Sequence, residues 1–446
     1  MGAFHAYDIR GIYNKDFNKD DVHRIGCFLP RLLKADKVLV GRDVRVSSPE
    51  IHDYLVRAIT NAGADVYDVG LSTTPMIYWL TAKFGFKASV MITASHNGPE
   101  YNGLKISGEN AVPIGYDDGL GELEKMIKTP SAFKTGPKGS VLQFDKKAEY
   151  LEFLKAYLPS SLHHLNLTID CSNGMAGLLI QDLIGSNHHF LFEQPDGRFP
   201  NHQPNPLVME NVADLQKAVV NNQSDLGIIF DGDADRVMFV DEKGDFISPD
   251  LMIALMGHYF IKKNPKAKVI QDIRTSMAVG EYLKELGDVE MITWRVGRAY
   301  AAKRLRLEDG LFGGELAGHY YFKDFYYSDS GMMAMLIILN VISEFKQQGI
   351  SVSQIISKIR KYANSGEINF TIDDKKGMMD RIKDHFEKTD KITHFMDFDG
   401  YRLEFADWWF NIRPSNTEPY LRLIVEAKNE EILSEKLEEI KKIILR

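Results

Sequence analysis

Three times along this chain a short apolar run ends in a polar loop rich in small residues. ASVMI (Ala88–Ile92) runs into TASHNG, LGIIF (Leu226–Phe230) into DGDADR, and Leu311-Phe312 into GGELAGH. Around each, short apolar runs alternate with amphipathic stretches. Residues 37–40, 65–69 and 88–92 read as strands, with helices over 49–62 and 75–84. A second round has a strand at 165–169, a Gly-bearing turn (SNGMAG) and helix, a strand near Phe190 and a helix over 212–220. A third has a strand at 268–270, a helix over 277–286, a strand at 289–293 and a helix over 300–307. Such alternation indicates βαβ units around a parallel sheet. What recurs is the order of elements, not residue identity.

From about residue 361 the pattern changes. A strand at 368–372, a helix to about 388, strands around Asp399-Gly400, the segment 408–419 and a strand at 420–426 precede a charged final helix. The expected fold class is therefore α/β: three similar mixed α/β domains plus a C-terminal α+β domain around a central cleft. The expected divisions are 1–145, 146–245, 246–360 and 361–446. A length of 446 residues alone would suggest about three domains.

Charge narrows the function. The formal net charge of −8 argues against a nucleic-acid binder, which needs a basic face, but leaves room for a local anion pocket. The charge-free apolar run at 331–342 is shorter than the ~20 residues of a membrane helix and reads as a core helix, so no membrane partner is expected. The first residues, MGAFHAYDIR, carry no signal peptide, and Ala6 stands where a myristoylation motif needs Ser or Thr. Two cysteines, Cys27 and Cys171, are too few for a disulfide scaffold or structural zinc. A cytoplasmic location is expected.

Ligands of open α/β sheets gather beyond the carboxyl ends of the strands, which is where the polar loops fall. Ser95 could be a nucleophile with His96 and Lys105 as helpers. Taken alone it could equally be a turn serine capping backbone amides. A hydrolase elbow is excluded, because Thr93 and Asn97 replace its glycines. Asp231, Asp233 and Asp235 can converge with little crowding, and three repelling carboxylates call for a hard cation such as Mg²⁺. An acidic solvated turn is the plainer alternative; an EF-hand fails, since Arg236 replaces the glycine at its sixth position. Glu315 and His319, flanked by glycines, suit sugar hydroxyls, or belong to a loop holding one satisfied histidine. Arg413, Ser415, Asn416 and Thr417, with Arg422 beyond, are the donor set of a phosphate site, or a Pro-bounded turn capping itself. Arg10, Arg274 and Arg298 are further basic candidates. Arg42 and Arg45 in GRDVRVSSP read as local structural contacts, with a cleft role left open.

Together TASHNGPEYNGLK, DGDADR, GGELAGH and RPSNTEP, in that order and approximate spacing and with AYDIRG and GRDVRVSSP, resemble the α-D-phosphohexomutase family over essentially the whole chain. The likeness is to its bacterial phosphomannomutase/phosphoglucomutase branch. It implies four domains, a phosphoryl group on Ser95, and Mg²⁺ held by Asp231, Asp233, Asp235 and a phosphoserine oxygen. It implies that Lys105 assists proton transfer, with Arg10 and His96 beside the phosphoserine and Arg236 offsetting charge. Arg413, Ser415, Asn416, Thr417 and Arg422 would grip the substrate phosphate, Glu315 and His319 the sugar. Arg274 and Arg298 stand where that branch often has Lys and His.

The implied partners are small-molecule hexose phosphates, acting on a monomer or homodimer. Glucose 1,6-bisphosphate, or mannose 1,6-bisphosphate, would serve as activator. Ala317 for the usual serine, Gly98 for proline and Ala234 for glycine depart from the pattern and bear on sugar choice. Three alternatives follow. A phosphoglucosamine mutase would carry an acidic residue at Arg298. An aspartate-nucleophile phosphatase would leave the Ser95 and Arg413 loops unused. A non-catalytic sugar-phosphate binder would have no need of Ser95 and Lys105.

Overall fold

Val38, Val40, Val90 and Ile92 pack into one apolar cluster, while Leu39 and Met91 on the same two strands pack into another. A strand alternates its side chains between faces, so this sheet is covered on both. It is the first of four in a computed structural model that describes residues 2–129, 137–415 and 419–445. Its six strands run in the order Ile9–Ile12, Tyr101–Gly108, Ala88–Ile92, Lys37–Arg42, Asp65–Leu71, Val141–Gln143. The second sheet is built on Leu226–Phe230 between Val237–Asp241 and Leu167–Asp170, and the third on Phe312–Gly314 between Tyr320–Phe322 and Lys266–Asp272.

These three sheets share one departure from the expected parallel arrangement. The strand entering each polar loop pairs in parallel on one side and antiparallel, on the other, with the strand that leaves the loop. The loops are thus the tips of hairpins rather than the starts of crossover helices. The leaving strands, Tyr101–Gly108, Val237–Asp241 and Tyr320–Phe322, are almost wholly buried, so none carries the alternation by which a strand is recognised.

Helix boundaries follow ordinary capping chemistry. Thr73 accepts from the Met76 amide at the start of Thr74–Lys83, and Ser330 from the Met333 amide at the start of Gly331–Gln347. That second helix holds the apolar run and is a core helix, as its composition required. No helix of the described residues is long and apolar enough to cross a membrane.

The fourth sheet is wholly antiparallel and has its own apolar cluster around Phe386, Trp408 and Leu423. By contrast, one cluster runs unbroken from Met76 through Ile228 and Val269 to Ile355. The fourth unit meets the third across polar contacts. Buried Arg402, stacked on Trp409 at 3.7 Å, donates to the carbonyls of Ile273 (2.8 Å) and Thr275 (2.9 Å). The Met277 amide donates to Glu426 at 3.0 Å.

Candidate active site

Two hairpin tips meet head-on. Ser95 sits in the left-handed region (φ 54°) just beyond Ala88–Ile92, and its Oγ donates to Asp231 Oδ2 at 2.8 Å. The packing is tight. A Cβ on Gly232 would lie 2.5 Å from the Ser95 carbonyl oxygen, so the metal-type loop needs glycine there. Ala234 in the same loop also adopts a positive φ (62°).

All three aspartates are fully buried, and each offers an oxygen within 4.8 Å of the others'. Lys105 Nζ reaches Asp233 Oδ2 (2.7 Å) and Asp235 Oδ2 (2.5 Å), and Thr74 Oγ1 also donates to Asp233 Oδ2 at 2.5 Å. Burial opposes the charge on Lys105, but Asp233, Asp235 and Asp231 outweigh it and raise its pKa. Burial and the neighbouring carboxylates push Asp231 well up. Asp233 Oδ1 and Asp235 Oδ1 are buried with no hydrogen-bond partner among the described residues. Three buried carboxylates, one contacting ammonium and two orphaned oxygens fit a hard divalent cation on chemical grounds.

Around this centre, Arg10 Nη1 donates to Asn97 Oδ1 at 2.9 Å while its other nitrogens bind Asp8. His96 Nδ1 lies 3.4 Å from Ser95 Oγ. Burial first, then Arg236, Arg10 and Lys105, hold its pKa well below the ordinary value, so the ring is neutral at pH 7.

The third hairpin tip joins through Arg236, whose Nε donates to His319 Nε2 at 3.0 Å. A guanidinium can only donate, so the His319 ring proton sits on Nδ1, which donates to Asp329 Oδ2 at 2.7 Å. Asp329 also accepts from Arg298 Nε at 3.1 Å, and that guanidinium lies 3.7 Å from the Tyr78 ring centroid. Glu315 accepts from Tyr321 (2.6 Å) and from the Gly297 amide (3.2 Å).

The fourth loop approaches through charge. Arg274 pairs with Asp272 at 2.7 Å and with Glu367 at 3.2 Å, and Arg422 Nη1 takes the other Glu367 oxygen at 2.8 Å. Arg413 is buried and lies 3.6 Å from Asp399; its Nε and Nη1 make no hydrogen bond among the described residues. Burial and the nearby Arg274 lower its pKa, the setting of a guanidinium waiting for an anion. The Ser415 amide donates to the Tyr420 carbonyl at 2.9 Å. Asn416 and Thr417 lie outside the described residues.

The sequence reading missed several supporting side chains. Thr74 and Glu367 contact the expected site residues from distant segments and Asp329 and Asp399 from nearer ones, and Arg45 is the buried support of the Ser95 loop rather than a merely local contact.

Comparison with known proteins places the whole chain in one family. Residues 1–132, 148–244 and 248–362 match phosphoglucomutase/phosphomannomutase alpha/beta/alpha domains I, II and III, and residues 367–443 match the family's C-terminal domain. The chain belongs to the phosphoglucomutase/phosphomannomutase family. Among family members, it is 37% identical over 464 residues to a phosphomannomutase of Vibrio cholerae, covering 100% of this chain and 98% of that protein. It is 36% identical over 441 residues to a protein of Xanthomonas campestris pv. campestris described as phosphohexose mutases, covering 98% and 97%. Its fold superposes on a phosphoglucomutase/phosphomannomutase family protein of Burkholderia thailandensis with TM-score 0.89 and 29% identity, covering 99% of this chain and 96% of that one.

Proposed function

We propose that this family member is a phosphohexomutase that interconverts hexose 6-phosphate and hexose 1-phosphate, of mannose, glucose or both, through a phosphoserine at Ser95 and a hexose 1,6-bisphosphate. One observation carries the reading: the Ser95 hydroxyl contacts the buried acidic triplet, 2.8 Å from Asp231. A phosphoryl group there would stand over Asp231, Asp233 and Asp235, the residues that would hold Mg²⁺. When bound, such an ion supplies Lewis-acid stabilisation of phosphoryl oxygens.

Phosphoryl transfer asks the protein mainly for alignment and neutralisation of charge. In the forward step the Ser95 Oγ–P bond breaks as a bond forms between phosphorus and the free hydroxyl oxygen of the hexose phosphate. That hydroxyl proton must leave and Oγ must regain one. One proton thus passes from the hexose hydroxyl to Oγ in the forward step and back in the return step, where neutral His96, 3.4 Å from Oγ, would accept it from the serine, while Lys105, kept as an ammonium, would assist the relay and offset charge. The bisphosphate then turns over and returns its other phosphate to Ser95. Arg413, Ser415, Asn416, Thr417 and Arg422 would hold whichever phosphate is not reacting. Arg274 and Arg298 would flank the sugar, and Glu315 and His319 would take its hydroxyls, His319 by exchanging its Nε2 contact with Arg236 for the sugar. Their fixed partners Tyr321 and Asp329 pre-orient the last two.

The units would divide near residues 145, 245 and 360, with the separately cored fourth unit opening to let the intermediate turn. Enzyme lacking the phosphoryl group would need glucose 1,6-bisphosphate or mannose 1,6-bisphosphate as activator. The test is a coupled assay with Mg²⁺ and glucose 1,6-bisphosphate, run on mannose, glucose and glucosamine 1-phosphates. Turnover of mannose or glucose phosphate supports the reading. No turnover of any hexose phosphate refutes it, and preference for glucosamine phosphate redirects it.

A further inference from the structure

The motif GRDVRVSSP finds its use in Arg45. Its side chain is fully buried, and all five of its N–H donors are engaged. Nε binds Asp43 Oδ2 at 3.0 Å. Nη1 donates to the carbonyls of Gly98 (2.5 Å) and Tyr101 (3.1 Å). Nη2 donates to the carbonyls of Ser95 (2.9 Å) and Asn97 (2.7 Å). One guanidinium thus gathers four main-chain oxygens of a single loop, including that of the serine itself.

Two further contacts fix the gatherer. Asp43 is held in turn by Ser48 Oγ at 2.5 Å, and Ser48 accepts from Asn102 in the strand that leaves the loop. The Arg45 guanidinium also lies 5.0 Å from the ring centroid of Phe199, in the segment FPNHQPNP of the second unit. Pro204 of that segment packs 3.4 Å from where a Gly232 Cβ would stand. Arg45 therefore touches both sides of the Ser95–Asp231 contact without touching the reacting oxygen. It is also what over-determines the left-handed backbone at Ser95, a conformation that an L residue keeps only under such constraint.

We infer that Arg45 is the positioning residue that fixes the Ser95 loop against the acidic triplet, so that its loss falls on the transfer rate rather than on hexose-phosphate affinity. The inference rests on the phosphoserine reading above. Lysine cannot replace it, because three donors on one nitrogen cannot reach carbonyls at both ends of the loop.

The test is Arg45→Lys in the full chain, which keeps the charge beside Asp43. The readouts are kcat and KM for glucose 1-phosphate, its Kd by calorimetry, and amide hydrogen exchange over residues 94–101. A displacement near 1 Å at a reacting group costs on the order of 100-fold in rate, so kcat should fall by about that factor. Kd should stay within about threefold and exchange in the loop should quicken, since the phosphate-gripping residues are elsewhere. A kcat within about threefold of wild type, or affinity and rate lost together, overturns the inference. Should that variant not fold, Ser48→Ala loosens Asp43 one step away and asks the same question, with kcat falling and Kd unchanged as the supporting result. The wild type is incubated alongside with labelled glucose 1,6-bisphosphate. No label on Ser95 overturns the phosphoserine reading itself; label there with undiminished Arg45→Lys turnover overturns this inference alone.

Discussion

Replacing Gly232 by alanine tests the alignment of the two hairpin tips with a single methyl group. The new Cβ would stand 2.5 Å from the Ser95 carbonyl oxygen, where ordinary contact begins at 3.4 Å. One loop must retreat by about 0.9 Å, and the obstacle is main chain, so no side-chain rotation relieves it. Because the Ser95 carbonyl is also tied to Arg45, the retreat is transmitted to Oγ. A shift of that size at a reacting group costs roughly 100-fold, about 2.7 kcal/mol of barrier. The assay is steady-state turnover of glucose 1-phosphate with saturating bisphosphate, together with Kd for the sugar phosphate. The expected result is the loss in kcat with Kd unchanged, because Arg413 and its neighbours belong to other loops. A Gly232→Ala enzyme with wild-type kcat would refute the claim that this contact sets the reaction geometry.

Arg413→Ala should raise KM for hexose phosphates about 10- to 100-fold with a smaller change in kcat, the scale of a lost hydrogen bond to a charged group, measured in the same assay. Asp231→Asn should raise the melting temperature of metal-free protein, since it removes one of three crowded carboxylates, and should abolish the upward shift that Mg²⁺ produces in the wild type. A retained Mg²⁺ shift would contradict the ligand assignment. In the strand and segment that flank the acidic loop, His202 and Asp170 form a buried pair at 3.1 Å. Burial works against the charge on His202 but Asp170 outweighs it and raises its pKa, while burial raises that of Asp170. Both shifts make the folded state the tighter proton binder, so this pair's stabilisation is complete at low pH. It fades above about 3.8 for the acid and above about 6.5 for the histidine. His202→Gln should flatten that fall in a profile of melting temperature against pH.

The parts of this molecule that could be read in one dimension are those whose chemistry is local. Ser95 with His96, and the aspartates 231, 233 and 235, lie within single loops after apolar strands, so their types and spacing carried the inference. The alternation of strands and helices was legible for the same reason. The antiparallel strand Tyr101–Gly108 was not, because Asn102, Lys105 and Ser107 are polar residues on buried faces, the first tied to Ser48 and the second to the acidic triplet. Nor was the helix Lys19–Leu32, whose last turn contains Pro30, although Asn18 and Asp21 form a capping box at its start. Thr74 reads as a helix-start residue beside Pro75, and Asp329 as an acidic neighbour of the Ser330 cap. Only tertiary contact reveals that one holds Asp233 and the other sets the His319 tautomer.

The most direct measurement follows one phosphoryl group. Dephosphorylated protein is incubated with Mg²⁺ and glucose 1,6-bisphosphate labelled in its phosphates, digested and mapped by mass spectrometry. The sample is then chased with unlabelled hexose 1-phosphate. The account predicts about one label per chain on Ser95, none in Ser95→Ala, and its transfer to sugar bisphosphate in the chase. A label on Asp231, or one on Ser95 that the sugar phosphate does not remove, would contradict it.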